Sequence, residues 1–532
     1  MDVTRRNCDA VVIGSGPNGL VAANALAEAG WDVVVLEAAD EVGGAVRSSE
    51  VTAPGYTTDL YSAFYPLAAA SPVIAGLDLH RHGLEWVQAP TVLAHQLEDG
   101  RTAVLHRDPE ETAAGLDAFA AGDGDAWLQL FAQWRGLRDD LLDALFTPFP
   151  PVSAGVGLFR RLGASGALRL ARLASLPVRR LGEERFAGAG ARLLLTGNAL
   201  HSDIPPDAAG SGMFGWLLCM LGQDVGFPVP RGGAGRFSQA LRARAESLGA
   251  EVRTGVAVTE VLVSARRATG VRLADGTVVG ARAVLADVPA PALYADLLAD
   301  VPLPQRLRDD LAAFDWDHAT LKANWALRGP VPWLGDGSRS AGTVHLGVDL
   351  DGFVDFAADL SVGRLPRRPF VLFGQMAVAD PSRAPEGGES AWAYTHLPKR
   401  FASDPAAVAH HLERVEEAIE RVAPGFGDLV LARHVQSPAD LEVGNPNLVG
   451  GAINAGTSAI HQELVFRPTP GLGRPETPID GLFLASASAH PGGGVHGACG
   501  WNAARAALTA NGRLGAVKNA LVRTAWERLL RD

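Results

Sequence analysis

Two glycine-spaced segments, one near each end of the chain, are where residue type and spacing can do chemistry. Residues 9–20 read Asp-Ala-Val-Val-Ile-Gly-Ser-Gly-Pro-Asn-Gly-Leu. An apolar run into this turn has a mechanical meaning. Gly14 permits a tight turn and Gly16 lets the backbone approach a pyrophosphate. Gly19, after Pro17 and Asn18, lets the next helix pack close while its N-terminal amides point at the phosphates. Glu37 then ends a second apolar run about twenty residues on, where an acid accepts hydrogen bonds from an adenosine ribose. Such spacing also arises by chance in a chain with 61 glycines. Strand, turn, helix and acid in that order distinguish a dinucleotide site from a ligand-free strand-to-helix turn. The second segment, residues 490–497, reads His-Pro-Gly-Gly-Gly-Val-His-Gly and is followed by an alanine-rich run.

The elements that must position these residues follow from the pattern. Asp9 to Ile13 reads as a buried strand, Val21 to Ala29 as a helix that Gly30 stops, and Asp32 to Leu36 as the second strand. Residues 54–66 hold Tyr56, Tyr61 and Tyr65, three of the five tyrosines. Their hydroxyls need partners when buried, so the segment is either a pocket wall or core. Residues 110–225 read as mainly helical, with Asp125 to Phe146 apolar along one broad face. Between Leu158 and Arg185 seven arginines face only Glu183 and Glu184. Such a basic amphipathic stretch fits either peripheral contact with an anionic membrane surface or a solvated helical face.

After Arg231-Gly-Gly-Ala-Gly235, Phe237 to Leu248 reads as a helix. Strands are expected at Glu251 to Arg253, Val256 to Val263, Ala268 to Leu273, Thr277 to Val279 and Ala283 to Ala286. Thr320 to Leu327 and Phe370 to Val378 read as strands and Pro405 to Val422 as a helix. A strand at Leu482 to Ala485 runs through the glycine loop into a final helix from about Gly497.

The 532 residues exceed one typical core, so two domains are expected. A net charge of −12 offers no basic field for nucleic acid. Cys8, Cys219 and Cys499 lie too far apart for a metal-ligand spacing, so no metal is expected, and an odd, small number fits reduced thiols in a cytoplasm. Residues 1–8 are too short and polar for a signal peptide. The most apolar windows fall short of the roughly 18 residues of a spanning helix. The expectation is a cytoplasmic protein, with the arginine-rich stretch as the only route to a membrane. Oligomeric state is left open.

The arrangement resembles, end to end, the phytoene desaturase-like branch of the amine oxidase-type flavoproteins, which includes carotenoid isomerases. It is most similar to the relatives described as pyridine nucleotide-disulfide oxidoreductase domain proteins. The resemblance is carried by the Gly14–Gly19 turn with Glu37, Gly43-Gly44-Ala-Val-Arg47 and the tyrosine segment. It continues through Arg231–Gly235, Gly255-Val-Ala-Val-Thr-Glu-Val261, and Arg467-Pro through residues 478–484 into His490–Gly497. It implies an α/β protein: a Rossmann-type FAD-binding domain of the glutathione reductase-like kind, interleaved with a mixed α+β substrate domain. The FAD-binding domain would take residues 1–75, 226–300 and 436–532. The substrate domain would take 76–225 and 301–435, with a helical, lid-like region at about 110–225.

By that resemblance FAD is bound non-covalently. Beyond Gly14, Gly16, Pro17, Asn18, Gly19 and Glu37, its contacts would include Ala38, Gly43, Gly44, Ala45, Arg47 and Val258. Gly493, Gly494 and Val495 would meet the ribityl or pyrimidine end. There three glycines permit close approach, and helix-terminal amides favour the negative charge of a reduced flavin. Only one dinucleotide site is visible, since Gly232–Gly235 lacks the spacing, so reoxidation by oxygen, a quinone or another acceptor is expected rather than a nicotinamide. No Cys-x-x-Cys exists, which excludes disulfide reductase chemistry.

The flavin would take a hydride from a small organic, largely apolar substrate, and an alkene-forming reaction would need a base. Candidates are His490, His496 and Lys322. For each histidine the alternative is a structural hydrogen bond. For Lys322, one of three lysines against 44 arginines, it is a solvated strand lysine. Tyr61 and Tyr65 are candidate pocket residues. A desaturase or oxidase leads, against a flavin-dependent double-bond isomerase, an amine oxidase with the tyrosine segment as its aromatic cage, and a flavoprotein without turnover.

Overall fold

A computed structural model of the chain describes residues 5–531. The strand β1 (Arg5–Ile13) lies between β2 (Val33–Leu36) and strand Val278–Ala286, parallel to both. Ala10, Val11, Val12 and all of β2 are buried, so the sheet must be covered on both faces. One face carries helix α1 (Pro17–Glu28) and helix Ala498–Ala510, packed through small residues such as Ala22, Ala503 and Ala507. Their approach is close: a Cβ on Gly500 would lie 1.8 Å from the Asn18 carbonyl oxygen. The sheet is extended on one side by the parallel strand Glu251–Arg253. On the other side strands Arg267–Leu273 and Val258–Ser264 add antiparallel, while Leu482–Leu484 joins Val278–Ala286 in parallel. Gly30, at φ +81°, follows the end of α1 as the sequence requires.

The strand Val278–Ala286 corrects the expectation of two strands. The Gly280-Ala281-Arg282 interruption looks like a break, but Gly280 and Ala281 stay in register with Asn7 and Cys8. The ladder carries the strand across a stretch that apolar patterning alone divides.

A second sheet, almost wholly antiparallel, has the order Val430–Gln436, Ala319–Leu327, Glu389–Leu397, Val371–Gln375, Ala341–Leu346, Thr91–Gln96, Thr102–Leu105. Its two faces differ in kind. Leu321, Ala323, Trp325, Ala391 and Ala393 pack against Leu412, Val415 and Ile419 of helix Pro405–Val422. The alternate residues, Thr320, Lys322, Asn324, Trp392, Tyr394 and His396, form the opposite face, with Lys322 directly across from Tyr394 and Thr320 across from His396. The expected strand over Phe370–Val378 stops at Gln375 and turns into a short helix, Met376–Ala379, whose Ala377 amide donates to the Glu389 carboxylate at 2.6 Å.

Helices Asp123–Phe146, Val152–Ser175, Val178–Arg185, Ala189–Ala199 and Ser211–Val225 form a layer around Trp127, Trp134 and Trp216. The arginine-rich stretch falls in two of these helices. The longer is broken at Gly163, at φ +63°. Arg161 pairs with Asp140, and Arg172 and Arg180 both pair with Glu184, while Val152, Val156, Phe159 and Leu168 are exposed. Among the described residues no helix is long and apolar enough to cross a membrane. A last helix, Gly515–Leu529, lies beyond the final one expected.

Candidate active site

The glycine turn opens α1, and the loop and helix that follow the glycine triplet pack on the same end of α1, Gly497 against Val21 and Gly500 against Asn18. Gly19 cannot carry a side chain, because its Cβ would sit 2.2 Å from the Gly14 carbonyl oxygen. Glu37 stands beside the turn, its carboxylate accepting from the Ser15 amide at 2.8 Å, the Ser15 hydroxyl at 2.7 Å and the Ala39 amide at 2.9 Å. Ala38 is exposed at the end of β2. The Gly255 and Val256 amides donate to the Ala39 and Glu37 carbonyls at 2.8 Å, which runs the segment leading to Val258 alongside the acid.

Asp287 was missed by sequence reasoning. Its carboxylate accepts from the Gly19 amide at 2.8 Å, and burial, only partly offset by that bond, pushes its carboxyl up to about 7. The turn is therefore lined by an acid that burial favours in its neutral form, which limits repulsion of a diphosphate. Asn18 adds a buried side-chain oxygen with no hydrogen-bond partner.

The second glycine pair completes this wall. Gly43 and Gly44 are both left-handed, at φ +120° and +54°, and a Cβ on Gly44 would lie 3.2 Å from the Gly16 Cα. Ala45 accepts from the Ser62 amide at 3.2 Å. Arg47 donates to the Gly44 carbonyl at 3.0 Å, the Tyr61 hydroxyl at 2.9 Å and the Gly444 carbonyl at 2.6 Å. Gly493 lies against Asn454, Gly494 against Leu67, and Val495 takes a left-handed φ of +57° at the entrance to helix Ala498–Ala510. Bare backbone on three sides, an unpartnered Asn18 oxygen and an acid at the strand end fit FAD. When bound, that group supplies a two-electron acceptor for a substrate C–H bond.

The two histidines of the triplet differ. His496 accepts from the Ala498 amide at Nδ1, at 3.0 Å, and reaches the Gly492 carbonyl from Nε2, at 3.1 Å. Its two nitrogens brace the loop. The buried His490 makes no hydrogen bond of ordinary geometry, its nearest backbone acceptor being the Thr147 carbonyl, and its ring meets Phe149 edge-on at 6.3 Å. Burial lowers both imidazoles to about 4.

Lys322 is not the solvated lysine that strand position allowed. It is 3 % exposed, and its Nζ donates to the carbonyls of Asp59 and, at 3.2 Å, Tyr61. The Trp392 ring lies 5.5 Å away. Burial drives the amine down to about 7, against an upward pull from Asp59. One oxygen of the Asp59 carboxylate takes Arg383 at 2.7 Å, Ser48 at 2.7 Å and the Ala234 amide at 2.8 Å, and the other has no hydrogen-bond partner. Lys322 meets the Asp59 carbonyl rather than the carboxylate, which acts on it only through its charge. One chain of contacts runs from Lys322 through Tyr61 and Arg47 to Gly44 and the glycine turn.

The tyrosine segment divides. Tyr61 belongs to that chain. Tyr65, expected at a pocket wall, is wholly buried between Trp86 and Phe237 with its hydroxyl on the Ser62 carbonyl, and Tyr56 bonds the Leu327 carbonyl. The aromatic pair beside Lys322 is instead Trp392 and Tyr394, stacked at 6.0 Å and 16°. The signal for it is the alternation Trp-x-Tyr-x-His at 392–396, which has meaning only once the strand is paired with Ala319–Leu327.

A two-sheet fold with one glycine-lined dinucleotide cradle, and a buried lysine linked to it, defines a flavin-dependent oxidoreductase. Residues 18–508 match the family of flavin containing amine oxidoreductases, and the chain belongs to it. FAD is its cofactor. The chain is 28% identical to pyridine nucleotide-disulfide oxidoreductase domain-containing protein 2 of Mus musculus, over 93% of this chain and 92% of that one. It is 25% identical to the neurosporene-forming phytoene desaturase of Cereibacter sphaeroides, over 92% of each. Among solved structures, cyclohexylamine oxidase from Brevibacterium oxydans shares the fold with a TM-score of 0.56 at 17% identity, covering 98% of this chain and all of that one.

Proposed function

We propose that the protein is a dehydrogenase, desaturase or oxidase that removes a hydride from a C–H bond of a small organic, largely apolar substrate. Oxygen, a quinone or another acceptor then takes the electrons. The observation that carries this reading is the state of Lys322. A neutral amine has two N–H bonds and a lone pair. Here two carbonyls occupy the donors, which leaves the lone pair as a proton acceptor in an aromatic, water-poor setting. The sheet face supports it, since Trp392 and Tyr394 offer π-surface to an apolar or cationic substrate. The same pair keeps an amine oxidase reading in play.

The test is anaerobic. The holoprotein is mixed with candidate alkenes, alcohols and amines, and its visible spectrum is followed before and after admitting oxygen or a quinone. Bleaching by one class, with recovery on adding an acceptor, is the expected outcome. Turnover that requires pre-reduced cofactor and consumes no electrons would identify an isomerase. Bleaching by none of them, with light-driven reduction intact, would leave a flavoprotein without turnover.

A further inference from the structure

A cavity of about 380 Å³ opens at one end of the lysine-bearing sheet, within the size range of small-molecule sites. Its mouth lies beside the Lys399–Asp315 pair and its inner wall carries Asp203, Asp317 and His318. A second cavity of only about 10 Å³ shares Asp203, Ile204 and Leu360 with it and is lined further by Phe356 and His396. That residue sits across from Thr320, two positions along the same face from Lys322, about 7 Å in strand rise.

The inner wall holds polar capacity that the fold does not use. Asp203 is held at a left-handed φ of +59°, a conformation an aspartate adopts at some cost. One of its oxygens meets His396 Nε2 at 2.5 Å, and the other has no hydrogen-bond partner. Asp317 spends one oxygen on the Ile453 and Asn454 amides, at 2.6 and 3.0 Å, and its second oxygen is also without a partner. Both residues are more than nine-tenths buried. Leaving two carboxylate oxygens unsatisfied is costly, and the groups that relieve it are hydrogen-bond donors. Asp203 and Asp317 together outweigh burial and hold the His396 imidazole above its usual range. Burial and the Asp203 charge push the Asp317 carboxyl up to about 6, so that it keeps most of its charge at neutral pH. The inner wall therefore disfavours an anion, the cations Lys399 and Arg400 standing at the exposed rim.

We propose that this cavity receives the polar end of the substrate, and that this end is a hydrogen-bond donor without negative charge, an ammonium or a hydroxyl, on an apolar body. Asp203 and Asp317 receive the donor, while Leu360, Ile204 and Phe356 line the path of the apolar part toward the Lys322 face. The proposal rests on the reading of that face as the reaction chamber. It goes further in denying that the substrate is a pure hydrocarbon.

Calorimetric titration of the holoprotein with octylammonium, 1-octanol and octanoate tests it. Octylammonium, octanol or both should bind, and octanoate at least 100-fold more weakly. Asp203→Asn, a residue that tolerates the left-handed backbone, and Asp317→Asn should each weaken octylammonium about 10-fold or more. Leu360→Trp, which leaves both carboxylates in place, should abolish binding by filling the passage. Octanoate binding as tightly as octylammonium would overturn the proposal. So would unchanged octylammonium affinity in both asparagine variants, or no binding of any probe to protein whose flavin spectrum is intact. Probe binding to protein that never takes up flavin would sink the catalytic reading and leave the cavity assignment standing.

Discussion

Lys322 is held by two carbonyl oxygens and one indole ring, and that small set of contacts decides what its amine can do. Methionine at this position keeps the volume and removes the acceptor. Lys322→Met should lower kcat/KM by about 100-fold or more at neutral pH, the range expected for losing a positioned acid–base group. Its flavin content should be unchanged. Because burial lowers the amine to about 7, the parent rate should fall as pH drops through 7 and the lysine takes up a proton. That limb should vanish in the variant, and an identical pH profile in both proteins would remove Lys322 from the chemistry. At this scale the sequence was readable where rarity marks a residue, as for a lysine among 44 arginines. It was silent on Asp287, Trp392, Tyr394 and the Asp203–His396 pair, because each gains its role from a partner far away in the chain. The same limit applies to the histidines. His490 and His496 look equivalent in sequence, yet only His496 has both nitrogens in well-formed bonds to the backbone.

The element most exposed to a single change is the loop through Gly43 and Gly44. Any side chain at Gly44 meets two obstacles, a left-handed backbone and the Gly16 Cα at 3.2 Å. Gly44→Val should therefore displace the loop from the glycine turn and weaken FAD binding by about 10-fold or more, the left-handed conformation alone costing about 1–2 kcal/mol. Fluorescence titration of the stripped protein with FAD measures this, and an unchanged dissociation constant would contradict the geometry. Helix Pro405–Val422 and the first βαβ unit follow their patterns because burial periodicity is a local property. Strand Val278–Ala286 does not, since Gly270 must approach so closely that its Cβ would lie 2.8 Å from the Gly280 Cα. A glycine that looks like a break is there a point of close strand contact. The end of the sheet strand at Gln375 is likewise decided by Glu389, fourteen residues on.

In the whole molecule, the two sheets are built from interleaved stretches of chain, and the helix after the second glycine motif packs on α1, which the first motif opens. The Ser71 hydroxyl donating to the His496 carbonyl at 2.7 Å and the Gly500–Asn18 approach tie the ends together. The fold also keeps many imidazoles dry. Burial lowers His95, His201, His411, His490 and His496 to about 4 and His345 further. Their folded pKa values lie below the unfolded one, so the stability they permit is complete above about 6.5 and is lost as pH falls toward 4. Asp287, Asp317 and Glu389 are raised to about 7, about 6 and about 8, and Glu463 and His396 are raised too. These act in the opposite sense but are fewer than the lowered imidazoles, which include His318 as well. The melting temperature should thus fall by a few degrees per pH unit between about 6.5 and 4.5. A flat profile there would mean that these imidazoles are not held neutral.

The glycine cradle, Lys322 and the cavity beside it have a common purpose only if the protein binds FAD, and the visible spectrum of the purified protein tests that most directly. The protein should be yellow, with about one FAD per chain, released on denaturation and regained on adding FAD. Protein that is colourless and stays so with excess FAD would contradict this.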